Sequence, residues 1–363
     1  MRRFSCLLAL FVGFGLGTNA LPVCAQVDQS GSLEHLRALK LTAAAIRAAT
    51  KKAEPALVTI VSTGGVKSVA GRIGGIREQG EGNTTGVVIS PDGYVVTSTF
   101  DFIQRPPVIT VITSTGQTYV ADLLGQDNTR KICLLKLREA ADLPVIERVD
   151  PAEIQVGQWA ISIGVGFGDS NPAVSSGIIS AKNRVGGKAI QTDANISPAC
   201  YGGPLVDLQG RLLGICVPMN PQSQAIGAGV EWYDSGIGFA IPLDGIDDVL
   251  ERLKQGEKIE PAFLGVQATP TNNQPGLVIQ EVVPKSAAET AGLQKGERIL
   301  TVDGVEVLDV AKLKQLLSRY EAGKKIKIAL QSADSTTTRE VEVTLAAPLP
   351  DTKQSQIEPP KIR

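Results

Sequence analysis

Short β-type segments follow one another between Leu57 and Val217 with no helical segment among them, and this pattern restricts the possible folds more than any other feature of the chain. Turn formers such as Pro91-Asp92-Gly93 and Leu208-Gln209-Gly210 separate the segments. The segments are Leu57–Ser62, Thr85–Ile89, Tyr94–Thr97, Val108–Ile112, Thr118–Leu124, Ile132–Leu137, Trp159–Ile163, Ser175–Ala181, Ala189–Thr192 and Leu212–Val217. Strands of this length and spacing predict an antiparallel sandwich or a pair of closed barrels.

Helical periodicity lies on both sides of this β region. Apolar residues recur at helical spacing from Ser32, the expected N-cap, to Lys52, and again over Leu243–Lys254, so each segment is predicted to form an amphipathic helix. The last unit alternates strands with one helix, Val310–Arg319, which is the pattern of a small α+β domain. Its predicted strands are Gly276–Val283, Arg298–Val302, Lys325–Gln331 and Arg339–Leu345.

These patterns divide the chain into five segments. A polar stretch at 255–258 separates the β domain from the α+β domain. Glycine-rich residues 64–82 predict a mobile loop, and the Pro-rich, charged end predicts a disordered tail. The expected division is a signal peptide at 1–25, an N-terminal helical segment at 26–54, a β domain at 55–256, an α+β domain at 257–347 and a tail at 348–363.

The first residues have the pattern of a secretory signal peptide. Two arginines precede an apolar run to about Gly17, which is too short to span a bilayer, and small residues follow up to Ala25. We expect cleavage after Ala25 and export to the periplasm or the extracellular space. The stretch Leu21–Cys24 is similar to a lipobox, but Val23 is bulky where a small residue is usual. Membrane association through a lipid on Cys24 is therefore the less favoured alternative.

The charge and residue counts exclude several classes of site. With 36 Lys and Arg against 37 Asp and Glu, and no basic stripe, the chain is not expected to bind nucleic acid. Its single histidine is His35, so any mechanism that needs a His base must use this residue. The sequence has no Cys-x-x-Cys, His pair or calcium-type loop, so no metal and no cofactor are expected. Removal of the signal leaves Cys133, Cys200 and Cys216, an odd number that excludes a disulfide scaffold.

Four separated motifs follow one another along the chain: Thr85–Thr97 (TGVVISPDGYVVT), Gln191–Ala194 (QTDA), Gly202–Asp207 (GGPLVD) and Gly238–Pro242 (GFAIP). Together they resemble the HtrA/DegP family of trypsin-like serine proteases. The last unit is similar to a PDZ domain, through Phe263–Val266 (FLGV), Ser286–Leu293 (SAAETAGL), Gly296–Leu300 (GERIL) and Val302–Gly304 (VDG). The resemblance implies a mainly β fold, a chymotrypsin/trypsin-like double β-barrel followed by a small α+β PDZ domain.

The positions of the family's catalytic triad carry different residues, and each substitution removes a role. Phe100 stands where the family has the His base, Lys131 where it has the Asp that orients this His, and Tyr201 where it has the nucleophilic Ser. A serine hydroxyl is a poor nucleophile without a base, and the base needs a carboxylate to fix its tautomer. Ala199 and Cys200 likewise replace residues of the family's oxyanion loop. The resemblance therefore implies a degenerate triad, and we expect no catalytic residue.

Other residues offer weaker routes to chemistry. Cys200 carries a thiol beside the nucleophile position, but His35 is the only possible base, and a small semi-apolar loop residue is the favoured interpretation. Lys131 and Tyr201 could act as a lysine and phenolate couple, against the favoured interpretation of Lys131 as a surface or solvated lysine. His35 is interpreted as a polar position on the first helix.

Two parts of the scaffold remain candidates for binding. Segments 163–168 and 176–181 are similar to the family's specificity-pocket walls, and barrel packing explains their glycines equally well. A PDZ domain binds a peptide as an added strand, and the resemblance places the terminal carboxylate at the loop 263–266. The expected peptide-binding residues are Phe263, Leu264, Gly265, Val266, Leu313 and Leu317, and for two of the three helix leucines, Leu313, Leu316 and Leu317, core packing is the alternative.

Two functional hypotheses follow. The first is an exported, proteolytically inactive HtrA-like protein that binds peptides with free C-termini or unfolded polypeptide, with a scaffold, chaperone-like or regulatory role in envelope protein quality control. The second is an active serine endopeptidase of the same family with a rebuilt site. Phe100, Lys131 and Tyr201 favour the first hypothesis. The family's trimers imply a homotrimer or co-assembly with an active paralogue, and the sequence leaves open whether Cys200 and Cys216 form a disulfide.

Overall fold

The computed structural model describes residues 29–63, 82–102, 106–166, 171–220, 235–271, 274–332 and 337–349. These belong to two compact units, one ending at Ala43 and one beginning at Ala44. The signal peptide predicted at 1–25, most of the tail predicted from 348 and nearly all of the glycine-rich stretch at 64–82 lie outside the described residues.

The first β domain is a closed six-stranded antiparallel barrel. Its strands are β1 (Leu57–Thr63), β2 (Gly82–Val88), β3 (Tyr94–Ser98), β4 (Val108–Thr113), β5 (Thr118–Asp127) and β6 (Ile132–Leu137). They follow the order β5-β4-β1-β2-β3-β6, and β6 pairs back onto β5 to close the barrel. In β6, Cys133, Leu135 and Leu137 fill this barrel while Ile132 and Leu134 join the core between the two barrels. A strand buried on both faces explains why this segment is almost continuously apolar.

The second β domain is also a closed six-stranded barrel, so the predicted double barrel is confirmed. Its strands are β7 (Trp159–Gly164), β8 (Ala173–Arg184), β9 (Ala189–Thr192), β10 (Pro204–Val206), β11 (Leu212–Val217) and β12 (Gly238–Ile241), in the order β10-β11-β12-β9-β8-β7. The short strands β10 and β12 were absent from the sequence-based strand prediction, although both lie in family motifs. Each has four or fewer residues, which is too short to show a periodic pattern in the sequence. Main-chain pairing with neighbouring strands of the barrel defines them as strands.

Two helices flank the barrels, and both differ from the prediction at their N-termini. Helix α1 runs from Gln29 to Ala53, so Ser32 lies inside the helix and is not its cap. Helix α2 begins at Asp247 rather than at Leu243, because Gly245 has a left-handed backbone with φ of +76° that an α-helix cannot contain. Strand β13 (Lys258–Ile259) then pairs in parallel with β5. The polar stretch after α2 thus leads into a short additional strand of the first sheet.

The last unit has the α+β composition expected for a PDZ domain. Its strands are β14 (Val266–Thr271), β15 (Gln274–Val282), β16 (Arg298–Val302), β17 (Val305–Glu306), β18 (Lys325–Gln331) and β19 (Thr338–Thr344), in the order β14-β15-β16-β18-β19 with β17 paired to β16. Its helices are α3 (Ala287–Thr290) and α4 (Val310–Leu317). The Asp309 carboxylate accepts the N–H of Lys312 at 2.6 Å and caps α4, which ends two residues earlier than predicted.

Candidate functional site

Phe100 lies in a buried 3₁₀ turn that directly follows β3. All four residues of this turn, Thr99 to Phe102, are buried, and Phe100 is only 4% exposed. The Phe100 N–H donates to Ser98 Oγ at 3.2 Å, and the Thr99 N–H donates to the Lys131 carbonyl at 2.9 Å. The turn is therefore tied to the loop between β5 and β6, and the ring at position 100 points into protein rather than into solvent.

Tyr201 meets Phe100 inside the second barrel. The two ring centroids are 5.2 Å apart with an interplanar angle of 66°, an edge-to-face arrangement. Tyr201 is 2% exposed, and both rings belong to one apolar cluster with Ile179, Leu205 and Leu213. Edge-to-face packing of this kind stabilises a core beyond the area it buries. The fold thus brings together the two positions to which the family resemblance gives base and nucleophile, and fills them with an apolar ring pair.

The backbone of the loop before Tyr201 is folded into a closed 3₁₀ turn, Pro198–Cys200. The Tyr201 N–H donates to the Pro198 carbonyl at 3.3 Å, and the Cys200 N–H donates to the Ser197 carbonyl at 2.8 Å. An oxyanion hole requires N–H groups directed at the substrate oxygen. In this turn the Tyr201 N–H, at the position to which the resemblance gives the nucleophile, is already used within the loop.

Thr85, which was not among the site residues predicted from the sequence, holds this turn against the first barrel. Its hydroxyl donates to the Ala199 carbonyl at 2.7 Å and accepts the Val165 N–H at 2.8 Å. A second contact, from the Gly166 N–H to the Ala199 carbonyl, is 3.3 Å long. A threonine within a strand carries no signal of this role, because both partners lie about eighty or more positions away.

The three described cysteines are buried free thiols, and Cys200 and Cys216 are therefore not joined in this structure. Burial raises the pKa of Cys216 well above its usual value, and the nearby Cys200 adds to this effect. Burial also raises the pKa of Cys133, with a contribution from the Asp101 carboxylate. Both thiols therefore stay protonated, which is the unreactive form. His35, the base that a thiol mechanism would need, lies on α1 before the boundary at Ala43.

Lys131 is buried, so the expectation of a surface or solvated lysine is wrong. It is 4% exposed and sits at the end of the β5–β6 turn with a left-handed φ of 60°. Burial lowers its pKa to about 8, while the carboxylates of Glu260 and Asp127 act in the opposite direction. Its side chain lines a small cavity together with Lys188 and Ser318, so it faces the PDZ-like unit as well as the barrels.

An ion-pair cluster beside Lys131 joins the barrels to the PDZ-like unit, and its central residue is Glu321. The two oxygens of Glu321 accept Arg130 Nη1 at 3.2 Å and Arg252 Nη1 at 2.9 Å. Burial raises the pKa of Glu321, and the hydrogen bonds from both arginines outweigh this and leave the pKa below its usual value. Lys188 Nζ also donates to the carbonyl of Ser318 at 2.8 Å. These contacts join residues that lie far apart in the sequence, so no local pattern could predict them.

The segment expected to form a specificity-pocket wall packs tightly around Asp193. The Asp193 carboxylate accepts the Ile178 N–H at 2.6 Å, and a Cβ on Gly177 would overlap the same carboxylate oxygen. Close packing therefore requires the glycine, and the interpretation of this segment as a pocket wall stays a prediction. Of the second wall, residues 167 and 168 lie outside the described residues.

The peptide-binding residues predicted for the PDZ-like unit lie around the start of β14. Phe263 exchanges main-chain hydrogen bonds with Ala346, of 2.8 and 3.2 Å, and this anchors the loop. Gly265 has a φ of +84°, and a Cβ there would overlap Ser286, so a tight turn precedes the strand. Leu264 is 2% exposed and packs in the core of the unit.

The leucines expected from the helix divide into two groups. Leu313 and Leu316 are 5% and 1% exposed and belong to the core, whereas Leu317 is half-buried at the margin of that core. Core packing therefore accounts for two of the three, and α4 lies against β14. Within the ranges that the structure covers, no three potential metal ligands come together. No helix in those ranges is both long and apolar enough to cross a membrane.

Two sequence families match the chain. Residues 84–215 match the family described as a trypsin-like peptidase domain, and residues 262–344 match the PDZ domain family. The probable periplasmic serine endoprotease DegP-like of Marinomonas sp. is 35% identical over 257 residues, which cover 67% of this chain and 52% of that protein. The serine endoprotease DegS of Haemophilus influenzae is 31% identical over 254 residues, which cover 68% of this chain and 72% of DegS. The chain thus spans about half the length of the DegP-like relative.

Solved structures show the same architecture. A crystal structure of the serine endoprotease from Yersinia pestis superposes with a TM-score of 0.61 at 27% identity, covering 84% of this chain and 98% of that one. The HtrA-type protease AlgW, solved with a decapeptide, superposes with a TM-score of 0.61 at 26% identity, covering 84% of this chain and 99% of AlgW.

Proposed function

Because the chain belongs to the HtrA/DegP family of serine endoproteases, with a trypsin-like peptidase domain followed by a PDZ domain, we propose that it is a proteolytically inactive member that binds peptides or unfolded polypeptide segments through the PDZ domain. The observation that carries the proposal is the buried edge-to-face pair of Phe100 and Tyr201 at the base and nucleophile positions.

The chemistry of acyl transfer explains why this pair supports inactivity. Peptide cleavage in this family needs a hydroxyl that attacks the scissile carbonyl and a base that accepts its proton. Phe100 can accept no proton. The Tyr201 ring lies in the apolar core, and the residue is only 2% exposed. A scissile bond would have to displace this packed ring before it could reach any nucleophile.

The loop geometry supports the same conclusion. The Tyr201 N–H bonds to Pro198 within the 3₁₀ turn, so stabilisation of an oxyanion would require this turn to open. Lys131 places a cation where the family has a carboxylate, and a cation there would repel an imidazolium rather than stabilise it. The ring pair, the closed turn and the lysine all oppose the reaction.

The retained PDZ geometry supports a binding function. Gly265 keeps the left-handed turn before β14, and β14 is the terminal strand of its sheet beside α4. An edge strand beside a helix is the arrangement in which PDZ domains take up a peptide as an additional strand. The loop 263–266 would hold the carboxylate, and Val266 and Leu317 would contact the last side chains.

The proposed setting is the cell envelope. The DegP-like relatives are named as probable periplasmic serine endoproteases, and the N-terminal pattern supports export to that compartment. We also include assembly as a homotrimer, or with an active paralogue, in the proposal. Leu36 and Leu39 lie three positions apart on one face of α1 and are 50% and 67% exposed, which supports self-association through this helix. Light scattering on the purified protein measures the oligomer directly.

The decisive experiment compares hydrolysis and binding in one preparation. The purified protein is incubated with unfolded casein and with a fluorophosphonate probe, beside an active family member as positive control and a Tyr201→Ser variant, which places a serine hydroxyl at position 201. We expect neither cleavage nor labelling from the parent chain, and retention of labelled peptides with apolar C-termini. Cleavage by the parent chain that is lost in Cys200→Ala or Lys131→Ala would instead establish the rebuilt active site of the second hypothesis.

Gly265→Val is the matched variant for binding. A side chain at this position would be strained at a φ of +84° and would overlap Ser286, so the carboxylate loop would be distorted while the barrels stay intact. We expect loss of peptide retention with unchanged circular dichroism. Equal retention by both proteins would contradict the proposed binding site.

A further inference from the structure

The outer edge of β14 contains a proline that limits how much of a peptide can pair with it. In the part of the chain that the structure describes, β14 pairs with β15 alone, and α4 lies beside it. A peptide bound as an additional strand would form its main-chain hydrogen bonds along this outer edge. Which residues of β14 offer donors there depends on the direction of each N–H.

The pairing with β15 establishes these directions. In an antiparallel ladder each residue directs both its N–H and its C=O towards the partner strand or away from it, and the two kinds alternate. The Val283 N–H donates to the Gly265 carbonyl at 2.9 Å, so residue 265 faces the partner strand. The next residue, Val266, therefore directs its main-chain groups to the outer edge.

The alternation continues to the end of β14. The register shifts between Gln267 and Ala268, where their partners are Glu281 and Ile279, so the additional residue belongs to β15. An additional residue on the partner strand does not change the alternation along β14. Ala268 and Pro270 therefore face the outer edge, like Val266.

Pro270 has no N–H, and its ring carbon occupies the place where the amide hydrogen would project. The outer edge consequently carries donors at residues 266 and 268 and an apolar obstruction at residue 270. Pro270 is exposed, which agrees with a ring that faces outwards from the sheet. Proline is tolerated at such an edge because no bond within the sheet is lost.

We propose that Pro270 ends the ladder between β14 and a bound peptide, so that the PDZ domain recognises only the last three or four residues of a C-terminus. This inference rests on the proposed peptide-binding function. With the carboxylate at loop 263–266, the peptide runs antiparallel to β14, and its last residue lies opposite Val266. The residue two positions earlier lies opposite Ala268, and the residue four positions earlier meets Pro270 and finds no donor. Ligands are therefore C-terminal segments defined by a very short sequence, and the upstream chain leaves the groove.

The inference is tested by measuring how two peptides of different length bind to the parent protein and to two variants. Two fluorescent peptides share the same four C-terminal residues with an apolar last residue, and the longer one carries two additional alanines at its N-terminus. Binding of both to the full chain is measured by fluorescence anisotropy for the parent, Pro270→Ala and Gln267→Ala. Gln267 is the matched control, because it is exposed and its main-chain groups face β15.

The parent should bind the two peptides with dissociation constants within about twofold of each other. Pro270→Ala should bind the longer peptide about threefold to tenfold more tightly than the shorter one, because it restores one donor, while the shorter peptide binds as to the parent. Gln267→Ala should behave as the parent.

Two results would overturn the inference, and they are distinguishable. A parent that binds the longer peptide several-fold more tightly, with no change in Pro270→Ala, would mean that the ladder extends past residue 270 while peptide binding itself stands. Failure of the parent to bind either peptide would overturn the proposed binding function and this inference with it.

Discussion

Replacing Tyr201 by serine should lower the unfolding free energy of the second barrel and should not create a protease. Tyr201 and Phe100 are 2% and 4% exposed within one apolar cluster, so both rings contribute to the core. Truncation of a buried aromatic residue costs about 3–5 kcal/mol of unfolding free energy. We expect Tyr201→Ser and Phe100→Ala each to fall in this range.

The edge-to-face contact adds a term that a double-mutant cycle isolates. At a centroid distance of 5.2 Å, the pair should contribute about 0.5–1.5 kcal/mol beyond burial. Removal of one ring already removes this contact, so the double variant should be less destabilised than the sum of the single variants by about that amount. Tyr201→Phe, which retains the ring, is the control and should cost about 1 kcal/mol or less.

Thermal and urea unfolding followed by circular dichroism measure these differences. For a domain of this size, 3–5 kcal/mol corresponds to a fall in Tm of roughly 6–20 °C. The fluorophosphonate probe should leave Tyr201→Ser unlabelled, since Phe100 still provides no base. A Tyr201→Ser protein with parental Tm and specific labelling would refute the view that Phe100 and Tyr201 serve as core and not in catalysis.

Three further predictions concern groups outside this pair. Glu321→Ala should break the ion pairs of both Arg130 and Arg252, so limited proteolysis between α2 and β14 should be several-fold faster than in the parent. An unchanged rate would mean that the cluster does not hold the PDZ domain in place. Burial of Lys131 lowers its pKa in the folded protein to about 8, below the value of about 10.4 in the unfolded chain. Between these two pH values the unfolded chain binds more protons than the folded protein. The contribution of Lys131 to the unfolding free energy should therefore rise with pH over this range by about 1–3 kcal/mol. Burial also lowers the pKa of Lys188 to about 8, so this lysine should contribute a rise of its own over the same range. Lys131→Met should therefore make the rise smaller in urea titrations at successive pH values, and an unchanged slope would contradict the burial of Lys131. The three buried thiols should react with iodoacetamide only after unfolding, and rapid alkylation of the native protein would contradict the core seen around them.

The sequence predicted the β elements best where the local pattern agrees with burial. Strand β6 was predicted with its observed limits because both of its faces are buried and its residues are accordingly apolar. Strand β16 was likewise predicted within its limits. The start of α2 was placed four residues too early, because the apolar pattern extends to Leu243 while Gly245 breaks the helix. Propensity indicates where a helix is favourable, and the backbone of a single residue decides where it begins.

The same distinction applies to the site. The sequence by itself determined that positions 100, 131 and 201 carry Phe, Lys and Tyr, because side-chain chemistry is a property of the residue, and the proposed inactivity rests on these residue types. Only the tertiary structure decided that Phe100 and Tyr201 are partners in a core and that Lys131 is buried towards the PDZ domain, because both depend on packing between distant segments. The role of Pro270 is divided in the same way. The residue type removes a donor, and the register of β14 against β15 decides that the missing donor belongs to the edge where a peptide would bind.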